Sequence, residues 1–307
     1  MLPRSCPSSC ESQFADILVS GLRIDPCVPD MAENIKFGAP PVVETALSVQ
    51  FNPLAGFTTA HTGWFWKEYV EKLGEGPPKE WKQAAEAARL PERLEKFGAE
   101  DVWVVPTLNV THGVVSPRTQ IIRGDGERLL QIQDNRFILN WRKRESAYPS
   151  YEVLLPEFRN MLSAFESFCS EAGFGMPAYN VWEILYVDQV KKGTMWDSAR
   201  DLNRIFPALT VPPVSVRHAP ASGDETISAD WRFSLANRRG RLYVQLRQAR
   251  LQPSNEEVIQ LTTTARGAVS ETQSWEQGLN FGHEALRETF LAITSPEAKE
   301  FWMKGNQ

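Results

Sequence analysis

The stretch that decides the fold class is Arg128–Arg142, RLLQIQDNRFILNWR. Apolar and polar residues alternate on both sides of Asp134-Asn135, and those two residues tolerate the positive φ that tight hairpin turns favour. The spacing predicts two antiparallel strands joined by a two-residue turn.

Working outward, PPVVETALSVQF (40–51) also alternates with period two. Val43, Thr45, Leu47, Val49 and Phe51 share one side, and Glu44, Ala46, Ser48 and Gln50 the other, as in a half-buried strand. TTAHTGWFWKEYVEKLG (58–74) reads as an amphipathic helix capped by Thr58 or Thr59, with Trp64, Tyr69 and Leu73 near one face and Gly74 as its stop. Residues 74–118 read as a long connection holding a short Ala- and Glu-rich helical piece around Trp81 to Leu90 and the apolar run VWVVP.

Downstream, YEVLLPEFRNMLSAFESFCSEAG (151–173) spaces Phe158, Leu162, Phe165, Phe168 and Cys169 by threes and fours, which predicts a second helix closed by Gly173. Strand-like segments follow: VWEILYVDQV, PPVSVRHA, ISADWRFSLAN, RLYVQLRQARL and EVIQLTTTARGAV. A last helix, 275–301, puts Leu279, His283, Leu286 and Phe290 on one face. Adjacent strands with short turns imply antiparallel pairing, and the interspersed helices imply cover on one side. The expected fold is α+β: a predominantly antiparallel, curved β-sheet with two or three long amphipathic helices packed on one face, compatible with two similar halves.

The chain has 307 residues, enough for one large domain or two modest ones. Residues 1–34 lack sustained periodicity and read as a disordered or mis-annotated leader, with Met31 a plausible true start. Residues 35–307 read as a single α+β body, divisible into subdomains 35–175 and 176–307.

A net charge of -5 argues against coating nucleic acid through bulk electrostatics. Of the four cysteines, Cys6, Cys10, Cys27 and Cys169, the first two are spaced C-x-x-x-C, but no second Cys or His pair stands at zinc-site spacing, so reduced thiols in a cytoplasmic protein, with no metal and no cofactor, are expected. No apolar run approaches the ~18 residues that span a bilayer, so no membrane partner is expected.

Four segments carry a resemblance: PPVVETALSVQF, AHTGWFW, LLQIQDNRFILNWRK with YPSYE, and HEALRETFLAIT. Together they resemble a sporadically distributed, uncharacterised bacterial family known by number alone, over roughly Pro40 to Trp302. The family's Pro-Pro-x-x-Glu opening strand is met by Pro40, Pro41 and Glu44, and its His-x-Gly-x-Phe-Trp helix start by His61, Gly63, Phe65 and Trp66. Its Asn-x-x-Phe-x-x-x-Trp-Arg strand corresponds to Asn135 to Arg142, where Asn135, Ile138 and Trp141 replace a rigid spacing, and its closing helix to His283 to Phe290. The resemblance implies a patchily inherited accessory protein of the sort found with mobile elements, defence or toxin–antitoxin loci, and it brings no chemistry.

No phosphate-cradling loop, nucleophile elbow, zincin pair or dinucleotide fingerprint occurs. His61, beside Trp66 at a helix start, can be drawn as a general base with Glu44 and Glu68, or as a cap packed among aromatics. His283, on an apolar helix face, reads as a hydrogen-bonded core histidine. His112 and His218 are assigned nothing.

The polar sides of the strands carry more: Glu44, Ser48, Gln50, Gln131, Gln133, Asn140, Arg142, Arg144, Asp230, Arg232, Gln245 and Arg247. Arg, Gln and Asn read carboxylates, phosphates and peptide edges in two-pronged fashion. This face is therefore expected to bind a protein, a peptide or a nucleic-acid backbone; a solvated face laced with cross-strand ion pairs is the bland alternative. Three function classes follow: a non-catalytic interaction protein with a protein partner, for which the resemblance implies the antitoxin, immunity or defence kind; a small-ligand module around an apolar cavity; or a nuclease or other hydrolase using Glu44, His61 and Asp230.

Overall fold

One open, curved antiparallel sheet organises the chain. The computed structural model describes residues 37–73, 80–95, 117–210, 215–216, 219–220 and 226–304. In the first half, β1 (Val42–Phe51), α1 (Thr59–Phe65), β2 (Trp81–Ala87), β3 (Arg118–Arg123), β4 (Arg128–Gln133), β5 (Arg136–Arg142) and α2 (Tyr151–Glu171) follow in chain order. The second half holds β6 (Tyr179–Lys191), the small strands β7 (Ser215–Val216) and β8 (Ala219–Pro220), β9 (Ser228–Ser234), β10 (Arg241–Arg250), β11 (Glu257–Ala268), α3 (Trp275–Ile293) and α4 (Pro296–Lys304).

Among the described residues the main sheet has nine strands in the order β2-β3-β4-β5-β1-β6-β11-β10-β9. β1 and β6 pair at its centre. Each half fans outward from its own first strand and closes with a long helix, so the two halves share one sheet.

Alternation buries one side of that sheet beneath the helices. Phe158, Leu162, Phe165, Phe168 and Cys169 of α2 are all buried, and Phe165 meets the rings of Phe51 and Phe137. In the second half α3 lies on β6 and β11, with Gly278 and Gly282 against the Trp182 indole. The other side of the sheet faces away from α2 and α3.

Three local expectations are corrected. Trp81–Ala87 is strand β2, not a helical piece: its alanines and glutamate favour helix, but pairing with β3 and burial of Trp81 override that weak preference. After α1 the chain passes through a π turn, Trp66–Val70, and a 3-10 turn, Glu71–Leu73. Phe65 and Val70, five residues apart, are the buried positions, while Trp64 and Leu73 are exposed and Tyr69 is half-buried. Finally, neither Asp134 nor Asn135 has positive φ. Their carbonyls are held from outside the hairpin, by the Leu54 N–H at 2.9 Å and the Phe51 N–H at 3.1 Å, so an ordinary turn suffices.

The expected leader, the VWVVP run, His112 and His218 lie outside the described residues. Among the described residues no helix is long and apolar enough to cross a membrane.

Candidate functional site

Directly paired residues of an antiparallel ladder point to the same side. The register therefore maps the helix-free face residue by residue. Gln133, Arg136 and Gln50 stand side by side on β4, β5 and β1. The next row runs through Ser48, Glu183, Arg266 and Arg241 on β1, β6, β11 and β10. Glu44 and Arg142 pair on the same face, as do Gln131 beside Ile138, Asn140 beside Ala46, and Gln245 between Asp230 and Thr262. Arg232 and Arg247, opposite Tyr243 and Ser228, complete it. Arg144 does not belong: it lies beyond the end of β5, with its side chain beside Gly126.

Across this face runs the chain's own segment 88–95, ARLPERLE. It travels over the strands rather than along them. Gln133 Oε1 accepts from the Leu90 N–H at 2.9 Å and Gln133 Nε2 donates to the Leu90 carbonyl at 3.1 Å. Gln50 treats Arg93 the same way, accepting from its N–H at 3.0 Å and donating to its carbonyl at 3.4 Å. A primary amide offers one donor edge and one acceptor, so each glutamine pairs with a strap residue much as a neighbouring strand would. Between them Arg136 Nη2 donates to the Pro91 carbonyl at 3.2 Å and to Gln50 Oε1 at 2.6 Å.

At residue 95 the strap carries a charged anchor. Glu95 bonds through Oε1 to Arg266 Nε, and its Oε2 lies 3.4 Å from Arg241 Nε. The Tyr243 hydroxyl donates towards both carboxylate oxygens, at 3.0 and 2.8 Å. Arg266 is held in turn by Glu183 at 2.8 Å, with its guanidinium 4.8 Å above the Tyr243 ring. Burial opposes the charge on Arg266, but Glu183 and Glu95 outweigh it and raise its pKa. At Arg136 burial prevails over the attraction of Glu183, and its pKa is lowered.

The face expected to be accessible is thus occupied in its first half: Gln50, Gln133 and Asn140 are only 2%, 1% and 4% exposed. Asn140 sits in a relay in which Gln120 donates to Gln131, Gln131 to Asn140 at 2.7 Å and Asn140 to Glu44 at 2.6 Å. Among the described residues the outer part of the second half stays open, with Arg232 and Arg247 exposed and Gln245 bonded to Asp230 at 2.7 Å. An open cleft of about 540 Å³ lies there beside the strap, between Glu92, Leu94, Arg232 and Tyr243.

The hydrolase set is not assembled. Glu44 and Asp230 are separated by four strand spacings, roughly 19 Å. His61 packs on the helix-bearing side among Phe57 and Phe174, its Nδ1 accepting from the Thr58 N–H at 3.1 Å as a cap. Glu68 is engaged by Lys72, and Trp66 Nε1 donates to the Trp81 carbonyl at 3.1 Å, tying the π turn to β2. His283 bonds the Tyr186 hydroxyl at 2.8 Å and stacks 4.1 Å from Tyr151, where burial lowers its pKa. Among the described residues no group of three or more His, Cys, Asp or Glu side chains is placed to hold a metal.

Sequence reasoning missed Arg136, Glu183, Arg241, Tyr243 and Arg266. Arg136 shares strand parity with Asn140 and Arg142, and Arg241 and Tyr243 with Gln245 and Arg247, so the alternation already contained those three; Glu183 and Arg266 lie on β6 and β11, from which no residue had been placed on this face. The strap itself left no periodic signal.

Sheet and strap together define a class: an α+β protein whose polar, helix-free sheet face is crossed by a segment of its own chain. No family model and no curated protein matches the sequence.

Proposed function

We propose that this chain is a non-catalytic interaction protein that takes an extended segment of a protein partner across its helix-free sheet face, in the place now held by residues 88–95. The observation behind this reading is the pair of glutamine clamps, Gln133 on Leu90 and Gln50 on Arg93, which engage main chain and so accept many sequences. The family resemblance extends the proposal to a cytoplasmic accessory role of the antitoxin, immunity or defence kind.

Energetics make exchange feasible. Ordering a residue costs about 1 to 2 kcal/mol of backbone entropy, while a net hydrogen bond returns roughly 0.5 to 1.5. Little apolar burial adds to that balance, since Leu94 is 60% exposed and Pro91 is exposed as well. The strap is therefore held by polar contacts with little apolar burial behind them. A tethered segment acts at an effective concentration of about 1 mM, so the same sequence supplied in trans should bind in the millimolar range. A true partner gains more by reaching the open outer strands.

The test is a full-length chain in which residues 88–95 are replaced by a Gly/Ser linker, titrated with the peptide ARLPERLE and followed by NMR. Chemical-shift changes at the Gln50 and Gln133 side-chain amides are expected at millimolar peptide. Adding Gln50→Ala and Gln133→Ala should weaken binding by about tenfold or more, as loss of paired hydrogen bonds predicts. A folded strap-replaced chain that ignores the peptide would sink the reading.

A further inference from the structure

We infer that the seat of Glu95 is a carboxylate-reading subsite, and that the partner segment is acidic, presenting a Glu or Asp side chain to Arg241, Arg266 and Tyr243. This rests on the peptide-binding reading above and specifies its partner.

The geometry is that of a built pocket. The Glu95 side chain is 5% exposed, far more enclosed than the strap residues preceding it. Both its oxygens are engaged: Arg266 on one, Arg241 on the other, and the Tyr243 hydroxyl spanning the two. Two guanidinium groups and a phenol converging on two oxygens fit a planar carboxylate better than a neutral amide, which would turn an N–H₂ towards a cation.

Shape narrows the class further. Glu183 is already shared between Arg266 at 2.8 Å and Arg136 at 3.9 Å, so Arg241 and the Nε of Arg266 are the cationic donors turned to the seat. These donors and the Tyr243 hydroxyl converge on two oxygens; a phosphorylated residue would bring a third terminal oxygen, so the pocket favours a carboxylate. On the outer strands of the same face Arg247 is exposed, and Arg232, also exposed, lies 3.8 Å from Asp230.

The experiment uses the strap-replaced full-length chain and three C-terminally amidated peptides: ARLPERLE, the same peptide with its last residue exchanged for glutamine, and one with phosphoserine there. The glutamate peptide should bind at least tenfold more tightly than either of the others, and Arg266→Met should shrink the glutamate-over-glutamine preference to under about twofold. Equal binding of the glutamate and glutamine peptides overturns the carboxylate assignment while leaving the peptide-binding face standing. Tighter binding of the phosphoserine peptide also overturns the assignment. If no peptide binds the folded chain, the face reading itself fails and takes this inference with it. Should the strap-replaced chain not fold, Glu95→Gln in the otherwise intact chain decides: hydrogen exchange at the Leu90 and Arg93 amides should accelerate by about tenfold or more, and unchanged exchange overturns the proposal.

Discussion

Gly278→Ala is expected to destabilise the protein by roughly 2 kcal/mol, even though alanine is the better helix former by about 1 kcal/mol. Gly278 lies in the first turns of α3, directly over Trp182 of β6. A Cβ there would stand 2.2 Å from Trp182 Cδ1 and 2.3 Å from Cγ, separations at which one partner must move. The indole has little room: it is fully buried, and a Cβ on Gly282 of the same helix or on Gly267 of β11 would also stand within 2.7 and 2.6 Å of it. Overpacking a filled core costs about 1 to 3 kcal/mol, and a rigid ring boxed in on several sides puts this site at the upper end. The helix gain offsets about a third of that. Gly63→Ala is the control, because that α1 glycine has nothing within 4 Å of its added Cβ and should gain from helix propensity alone. Urea denaturation of both variants separates the cases; a stabilised Gly278→Ala would mean that α3 does not sit on Trp182 as described.

The same contact shows why the two sides of the sheet differ, and how far that was legible beforehand. Small residues on α3 let a helix lie flat on the apolar side, so α2 and α3 both settle there and the polar side is left for other cover. Period-two alternation in β1, β4 and β5 showed which side chains share a side, because the strand pleat imposes that period whatever the partner strand. It could not show that β1 and β6 meet at the centre, since pairing between distant strands leaves no mark on either strand's own pattern. β2 was illegible for a related reason: an alanine-rich edge strand owes its conformation to β3, not to itself. The π turn after Phe65 hid the buried stripe of the first helix by breaking its period. The strap was the least legible element of all. Its backbone partners are the side chains of Gln50, Gln133 and Arg136, and a strand of amides and guanidiniums standing on a sheet imposes no period on the segment it holds.

On that apolar side one group is out of keeping, and it makes the second large effect. Asp188 of β6 is 6% exposed, at the irregularity where the β1–β6 register shifts between Val42 and Glu44, and burial pushes its pKa from 3.8 to about 7. Because the folded value lies above the unfolded one, the protonated carboxyl favours the folded state. Its contribution is complete below about pH 3.8 and is lost as pH rises through about 7. A shift of that size corresponds to at most about 4 kcal/mol between the two ends of the window. The neighbouring hydroxyls of Tyr148 and Tyr186 have raised pKa values and stay neutral throughout, and His283, beyond Tyr186, is held below its ordinary value by burial. Asp188→Asn keeps the shape and removes the ionisation. Urea midpoints of the variant should therefore match those of the parent chain near pH 4 and exceed them at pH 8, by an amount equivalent to roughly 2 to 4 kcal/mol. Parallel stability profiles for the two proteins between those limits would show that Asp188 is ionised and solvated in the folded chain, and that the buried end of β6 is more open than its packing against Val42 and Leu261 indicates.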